Sequence, residues 1–247
     1  IRSQSEKYRN QYGDDVPISA HPEIRNEEAC YRSSKKAVEL ARKHDARLHV
    51  LHLSTKRELE LFENTLPSEK KKITAEVCVH HLWFDESRYD EMGSRIKCNP
   101  AIKRREDRDA LIAALNDGRI DVIATDHAPH TAEEKHKPYF KAPAGLPLVQ
   151  HAVQVLFDLA ARGSISHELI VDRVCHAPAD IFGVGERGYV REGYFADLVI
   201  VDTDTPTPVT PENVLAKCGW SPFEGHEFSS SIDTTIVTVG LSRPTSC

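Results

Sequence analysis

Ile123-Ala124-Thr125-Asp126-His127-Ala128-Pro129-His130 delivers an acid and two histidines to the point where an apolar run must turn. The run extends from Ile120 to Ala124, broken only by Asp121, and suits a strand buried on both faces, as in a parallel sheet. Thr125, Asp126 and His127 then stand at its carboxyl end, and Pro129 stops it. In α/β folds that edge is where ligands bind and reacting groups gather. An Asp there can ligate a metal and shuttle a proton. His130, four residues on, can reach a substrate from the following loop. Taken alone, the same letters also fit an Asp capping the next helix beside two surface histidines.

Outward from that stretch, strands alternate with helices. From Asn26 the positions Ala29, Tyr31, Ala37, Val38, Leu40 and Ala41 recur at helical spacing and run into Arg42-Lys43-His44, suited to a helix C-terminus. Residues 1–15 before them are charged and read as a solvated helix tail or loop. Residues 47–53 form a strand candidate, and Ser54-Thr55 offers a cap for a helix over 56–63. The unit repeats, with a strand over 73–79 ending in His80-His81. A shorter apolar piece over 96–98 ends in Asn99-Pro100, a helix covers 107–115, and the strand over 120–125 follows. Helices are expected over 146–162 and 167–175. Residues 188–202 resemble a β-hairpin turning near Glu192-Gly193, and Pro206, Pro208 and Pro211 mark a loop-rich β appendage. Such alternation indicates βαβ units and a parallel sheet. His52, His80, Asn99 and Asp126 all fall at strand ends, which a barrel would converge on one face.

The 247 residues suffice for one large core with a small appendage. A net charge of −6 gives no support for nucleic-acid or anionic-membrane binding. No apolar run approaches the roughly 18–20 residues of a membrane span, and no signal-peptide pattern opens the chain. Cys30, Cys78, Cys98, Cys175, Cys218 and Cys247 are scattered without a C-x-x-C pair, which favours reduced thiols and a cytoplasmic location.

His52 and His80 each terminate a strand, with Asp126 on a later one. Two neutral imidazoles and a carboxylate are a ligand set for zinc or a similar divalent ion. A metal so held lowers the pKa of bound water enough for hydrolysis near neutrality. Any one histidine alone is more simply a satisfied or exposed side chain, and His44, His49, His136, His151 and His226 belong in that class. His81, adjacent to His80, points to the opposite face if the strand persists.

Thr125-Asp126-His127-Ala128-Pro129-His130-Thr131 resembles the dihydroorotases of the amidohydrolase superfamily. So do Leu51-His52-Leu53-Ser54-Thr55, Glu76-Val77-Cys78-Val79-His80-His81-Leu82, Lys97-Cys98-Asn99-Pro100 and Cys218-Gly219-Trp220-Ser221-Pro222-Phe223. Ala196-Asp197-Leu198-Val199 is shared more widely and discriminates little. The resemblance runs from about His21 to near Thr235. It implies an α/β fold, the C-terminal half of a (β/α)8 TIM-like barrel (strands five to eight) over 1–187, with part of a small β-sandwich domain over 188–247. It implies two zinc ions in the complete family site. His52 and His80 would bind one ion. Asp126 would bind the other and act as general base and acid, passing a proton to the leaving amide nitrogen. Asn99 and His130 would hold the pyrimidine ring, with backbone contacts from Ala144 and Gly145. The implied reaction is reversible cyclisation of N-carbamoyl-L-aspartate to dihydroorotate in pyrimidine synthesis, with a small-molecule substrate and room for a homo-oligomer.

The sequence departs from that family in having no His-x-His pair in the first-strand setting and no matching bridging carboxylate. The missing motifs are expected upstream of Ile1, and the end from Val239 to Cys247 departs from the expected final strand. The chain alone is therefore expected to form an open, curved four-strand sheet without activity. Its His52, His80 and Asp126 should approach one another and be more exposed than metal ligands usually are. Alternatives are an allantoinase- or hydantoinase-type cyclic amidohydrolase and a non-catalytic dihydroorotase-like partner.

Overall fold

A computed structural model describes residues 1–237. The chain opens with α1 (Arg2–Tyr12), which buries Tyr8, and the short α2 (His21–Ile24). α3 (Glu27–Lys43) starts where the Asn26 side chain accepts the Ala29 amide at 3.0 Å. Glu27 and Glu28 in its first turn, with Arg42 and Lys43 in its last, complement the helix dipole. β1 (Leu48–Val50), β2 (Ile73–Cys78) and β3 (Val122–Ala124) then form one parallel sheet in that order. Leu48 lies opposite Ile73, and Glu76 opposite Val122.

Between β2 and β3 run α4 (Val79–Trp83), α5 (Tyr89–Met92) and α6 (Arg105–Asp117). After β3 come α7 (Ala132–Lys135), α8 (Ala152–Ala161), α9 (His167–Val171) and α10 (Ala177–Phe182). Val38 of α3, Ala75 and Val77 of β2, Leu111 and Leu115 of α6 and Leu156 of α8 close the main core around the sheet. Burying each of the larger ones contributes about 1.5–3 kcal/mol. Asp121 sets the register of β3. Its carboxylate accepts from Lys71 Nζ at 2.7 Å and from the Ala75 amide at 3.0 Å, with both charged side chains almost wholly buried.

The appendage pairs β4 (Leu198–Asp202) antiparallel with β7 (Ser231–Ile236), and β5 (Thr207–Pro208) with β6 (Glu227–Phe228). Phe223 and Phe228 are buried within the main core. Asp158 of α8 accepts from the Ser229 amide at 2.7 Å and from His226 Nε2 at 2.8 Å. Among the described residues no helix is long and apolar enough to cross a membrane.

Several expectations need correction. Among the described residues the parallel sheet has three strands rather than four. Residues 96–98 pair with no strand, because their carbonyls go elsewhere: Lys97 O to the Gly145 amide at 2.9 Å and Cys98 O to His21 Nε2 at 2.7 Å. The hairpin over 188–202 does not form. Gly188 and Gly193 turn the chain with φ of 81° and 85°, and β4 finds its partner in the distant β7. Residues 1–15 hold a largely exposed helix, as a solvated helix tail would, with Tyr8 its buried residue. The helix after Thr55 is a 3-10 turn over Arg57–Leu61. The helix expected from 146 starts only at Ala152, since Leu146 is taken into a parallel bridge with His127. The one from 167 changes to a π turn over Asp172–His176. Residues 239–247, expected to depart from a final strand, lie outside the described residues.

Candidate functional site

The carboxyl ends of β1, β2 and β3 carry His52, His80 and Asp126. Two of these turns are made by L-residues in the left-handed region, His52 at φ 42° and Asp126 at φ 47°. That conformation costs on the order of 1–2 kcal/mol outside glycine, so the surrounding packing holds it. The Leu53 amide, next to His52, bonds to Glu76 O of β2 at 2.8 Å, which ties the first turn to the central strand.

His80 is fully buried, and neither ring nitrogen has a hydrogen-bond partner. Burial, with a smaller push from His52, takes its pKa down to about 3. The ring is thus neutral and offers a lone pair. Asp126 is exposed, yet crowding by protein raises its carboxyl above the usual value; His52 opposes that rise and Glu76 adds to it. His52 therefore lies within electrostatic reach of both partners. Glu76 in turn is bound by His49 Nε2 at 3.0 Å, while His49 Nδ1 meets Thr74 Oγ1 at 2.8 Å.

Two expectations change here. His80 is not more exposed than a metal ligand ordinarily is, because α4 and the core close over it. His81 does not face away. β2 ends at Cys78, so His80 and His81 both lie on α4, with ring centroids 4.1 Å apart. The tight group of potential metal-binding atoms is Cys78, His80 and His81, all mutually within 4.8 Å and all buried.

Asn99 follows the extended segment after Ile96, and its Oδ1 is buried without a partner. It borders two cavities, of about 450 Å³ beside His52 and about 250 Å³ beside Ala144, and Arg25 lines both. His130 and Gly145 sit against each other. A Cβ on Gly145 would meet Ala128 O at 2.5 Å and His130 Cδ2 at 3.1 Å, and φ there is 146°. Only glycine allows that approach. Trp220 of the appendage donates its indole N–H to His130 O at 2.7 Å.

The segment carrying Ala144 and Gly145 is held by two buried lysines. Lys135 Nζ donates to the carbonyls of Lys97, Pro143 and Gly145 at 2.9–3.0 Å, and Lys97 Nζ donates to those of Tyr139 and Ala142. Burial lowers both pKa values to about 8. His127, at the strand end beside Asp126, has a structural role: Nδ1 accepts the Leu148 and Val149 amides at 2.9 and 3.1 Å.

Residue-level reading of the sequence missed Cys78, Arg25, Lys97 and Lys135. For Cys78 and His81 the signal was present as C-x-H-H, but it acquires meaning only once the strand is known to stop at Cys78. Nothing in the letters announces a lysine that will be buried against carbonyls.

The amidohydrolase family model matches residues 13–238. A dihydroorotase from Halobacterium salinarum is 37% identical over 202 residues, 82% of this chain and 46% of that protein. A dihydroorotase from Bacillus cytotoxicus is 39% identical over 187 residues, 75% of this chain and 43% of that protein. The chain thus spans somewhat under half the length of the curated relatives it matches. Among solved structures, an L-hydantoinase (dihydropyrimidinase) from Arthrobacter aurescens superposes with a TM-score of 0.87 at 26% identity, covering 96% of this chain and 53% of that one. A dihydroorotase from Saccharomyces cerevisiae, in complex with 5-fluoroorotic acid, superposes at 0.69 with 16% identity, over 83% of this chain and 56% of that one, a likeness of fold alone.

Proposed function

This chain belongs to the amidohydrolase family, and from that premise we propose that it is part of a dihydroorotase. The proposed reaction is the reversible, zinc-dependent cyclisation of N-carbamoyl-L-aspartate to dihydroorotate. The observation that supports this proposal is that His52, His80 and Asp126 each follow the carboxyl end of one of three adjacent parallel strands, beside the Asp126–His130 loop and its Gly145 support. The three strands, with the His127–Leu146 bridge as a vestigial fourth, are read as the second half of a (β/α)8 barrel spanning 1–187. Of the described residues, 188–237 are then read as part of a small β domain, packed on the barrel portion through Phe223 and Phe228.

The donor set fits zinc: a buried imidazole with orphaned nitrogens, a second imidazole on the neighbouring strand end and a carboxylate. His52 and His80 would hold one ion and Asp126 the other, and the metal when bound would supply a nucleophile near neutral pH and polarise the ring carbonyl. Asp126 is placed to move the proton that the departing amide nitrogen needs, and its raised pKa favours that exchange. Asn99 Oδ1, unpartnered at a cavity wall, can accept a ring N–H, while His130 is held against Gly145, the neighbour of Ala144 on that wall. The remaining family ligands, His-x-His and a bridging carboxylate, are not in this sequence and would have to come from other polypeptide.

A hydantoinase-type cyclic amidohydrolase is the second reading, favoured by the fold likeness of 0.87. Turnover separates the two. A polypeptide uniting this chain with the missing ligands is expected to prefer dihydroorotate over hydantoin and allantoin. Preference for either of the others would overturn the dihydroorotase assignment.

A further inference from the structure

We propose that Cys78 and His81 join His80 in a compact sulfur–nitrogen site for a thiophilic divalent ion of the zinc type. The proposal shares one residue, His80, with the centre described above and depends on that reading only there.

The geometry arises where β2 passes into α4. Cys78 is the last strand residue, extended at φ −93°, ψ 149°, and Val79 begins the helix. The helical turn folds positions 80 and 81 back over position 78. Three side chains adjacent in sequence thereby meet, with their donor atoms within 4.8 Å of one another. Bond lengths to tetrahedral zinc give ligand–ligand edges of roughly 3.5 Å, so a contraction of about an ångström, within the reach of small χ rotations, closes the site.

Two further observations point to a ligand. His81 Nε2 meets Pro100 O at 3.1 Å; a carbonyl can only accept, so Nε2 carries the proton and Nδ1 presents a lone pair. That Nδ1 is buried and has no partner. An imidazole anchored by one nitrogen on a carbonyl, with the other left open, is the outer-shell pattern of metal-binding histidines. Both nitrogens of His80 are likewise buried and unpartnered. Buried nitrogens without partners carry a desolvation penalty, and a bound cation removes it for one nitrogen of each ring. The third donor is a free thiol. Binding converts it to a thiolate and releases its proton to solvent. A thiolate with two imidazoles favours zinc or cobalt over magnesium or calcium, which prefer oxygen.

Cobalt(II) is the probe, added to the purified 247-residue chain. The expected result is one equivalent bound, with a thiolate-to-cobalt charge-transfer absorption in the near ultraviolet. Cys78→Ser should remove that absorption, and His81→Gln should weaken cobalt binding about tenfold or more. Circular dichroism of each variant should match the parent, and either variant suffices if the other fails to fold. His52→Ala and Asp126→Asn should keep the absorption. Cobalt that binds without a sulfur signature and is lost with His52→Ala overturns this inference while leaving the strand-end centre intact. A sulfur absorption that survives Cys78→Ser, or no cobalt uptake at all, also overturns it. Retained sulfur absorption alongside a lack of dihydroorotate turnover by the united polypeptide would sink only the proposed reaction.

Discussion

Asp126 holds a backbone conformation, φ 47°, that few residues other than glycine, asparagine and aspartate tolerate. Its carboxyl is lifted above its ordinary pKa by desolvation first, with Glu76 adding to the rise. Both features suit a group that must exchange a proton at the mouth of a site. In a polypeptide carrying the full ligand set, Asp126→Asn is expected to lower kcat by orders of magnitude, since it removes a metal ligand and the proton carrier together. His130→Ala should instead raise KM while leaving metal content unchanged, because the ring faces Gly145 rather than the strand-end ligands. Elemental analysis of both variants checks the division of roles. Metal lost from His130→Ala would contradict it.

At the scale of elements, the parallel sheet is short, with β1 and β3 of three residues each. Three-residue strands make few ladder bonds, so other groups must hold their register. The Lys71–Asp121 pair does so between β2 and β3, with Lys71 Nζ also donating to Gly118 O at 2.6 Å. Asp121→Asn leaves a lysine buried without its counter-charge and is expected to cost about 3–5 kcal/mol of stability. Replacing both partners together, as Lys71→Met with Asp121→Leu, should recover most of that loss. Urea unfolding measures both. A loss under about 1 kcal/mol in the single variant would mean that the pair does not set the register.

Across the whole molecule, buried histidines tie separate segments together. His21 of α2 joins Cys98 O at 2.7 Å and Tyr139 Oη at 2.8 Å, and His151 meets Ser221 Oγ of the appendage at 3.1 Å. Burial lowers their pKa values to about 3 and about 4, from 6.5. The unfolded chain therefore binds more protons than the folded one between those values. The stability they allow is fully present above pH 6.5 and is lost as pH falls toward 4 and 3. Each contributes a few kcal/mol, since a tenfold change in proton affinity is worth about 1.4 kcal/mol. Urea midpoints are expected to fall steeply between pH 7 and pH 4, and less steeply in His21→Gln. An unchanged slope in that variant would show that His21 does not carry the acid lability.

The sequence by itself determined the three parallel strands with the main helices α3, α6 and α8, and put His52, His80 and Asp126 just past the ends of those strands. Those properties follow from local rules: apolar runs that end in polar residues, Asn26 as a cap, Pro129 as a stop. The resemblance in Asp126–His130 and in His80-His81 pointed to the family for the same reason, since a short motif survives as letters. Tertiary structure alone decided the rest. Residues 96–98 have the apolar character of a strand, but their carbonyls are claimed by His21 and Gly145, which are distant in sequence. β4 looked like half of a local hairpin and found β7 instead. His81 was expected to face away on strand periodicity, yet the strand ends at Cys78 and the helix that starts at Val79 brought it beside His80 and Cys78. Where a partner lies many residues away, a residue's role depends on packing energies that no local pattern contains, and so it is settled only when the chain closes on itself.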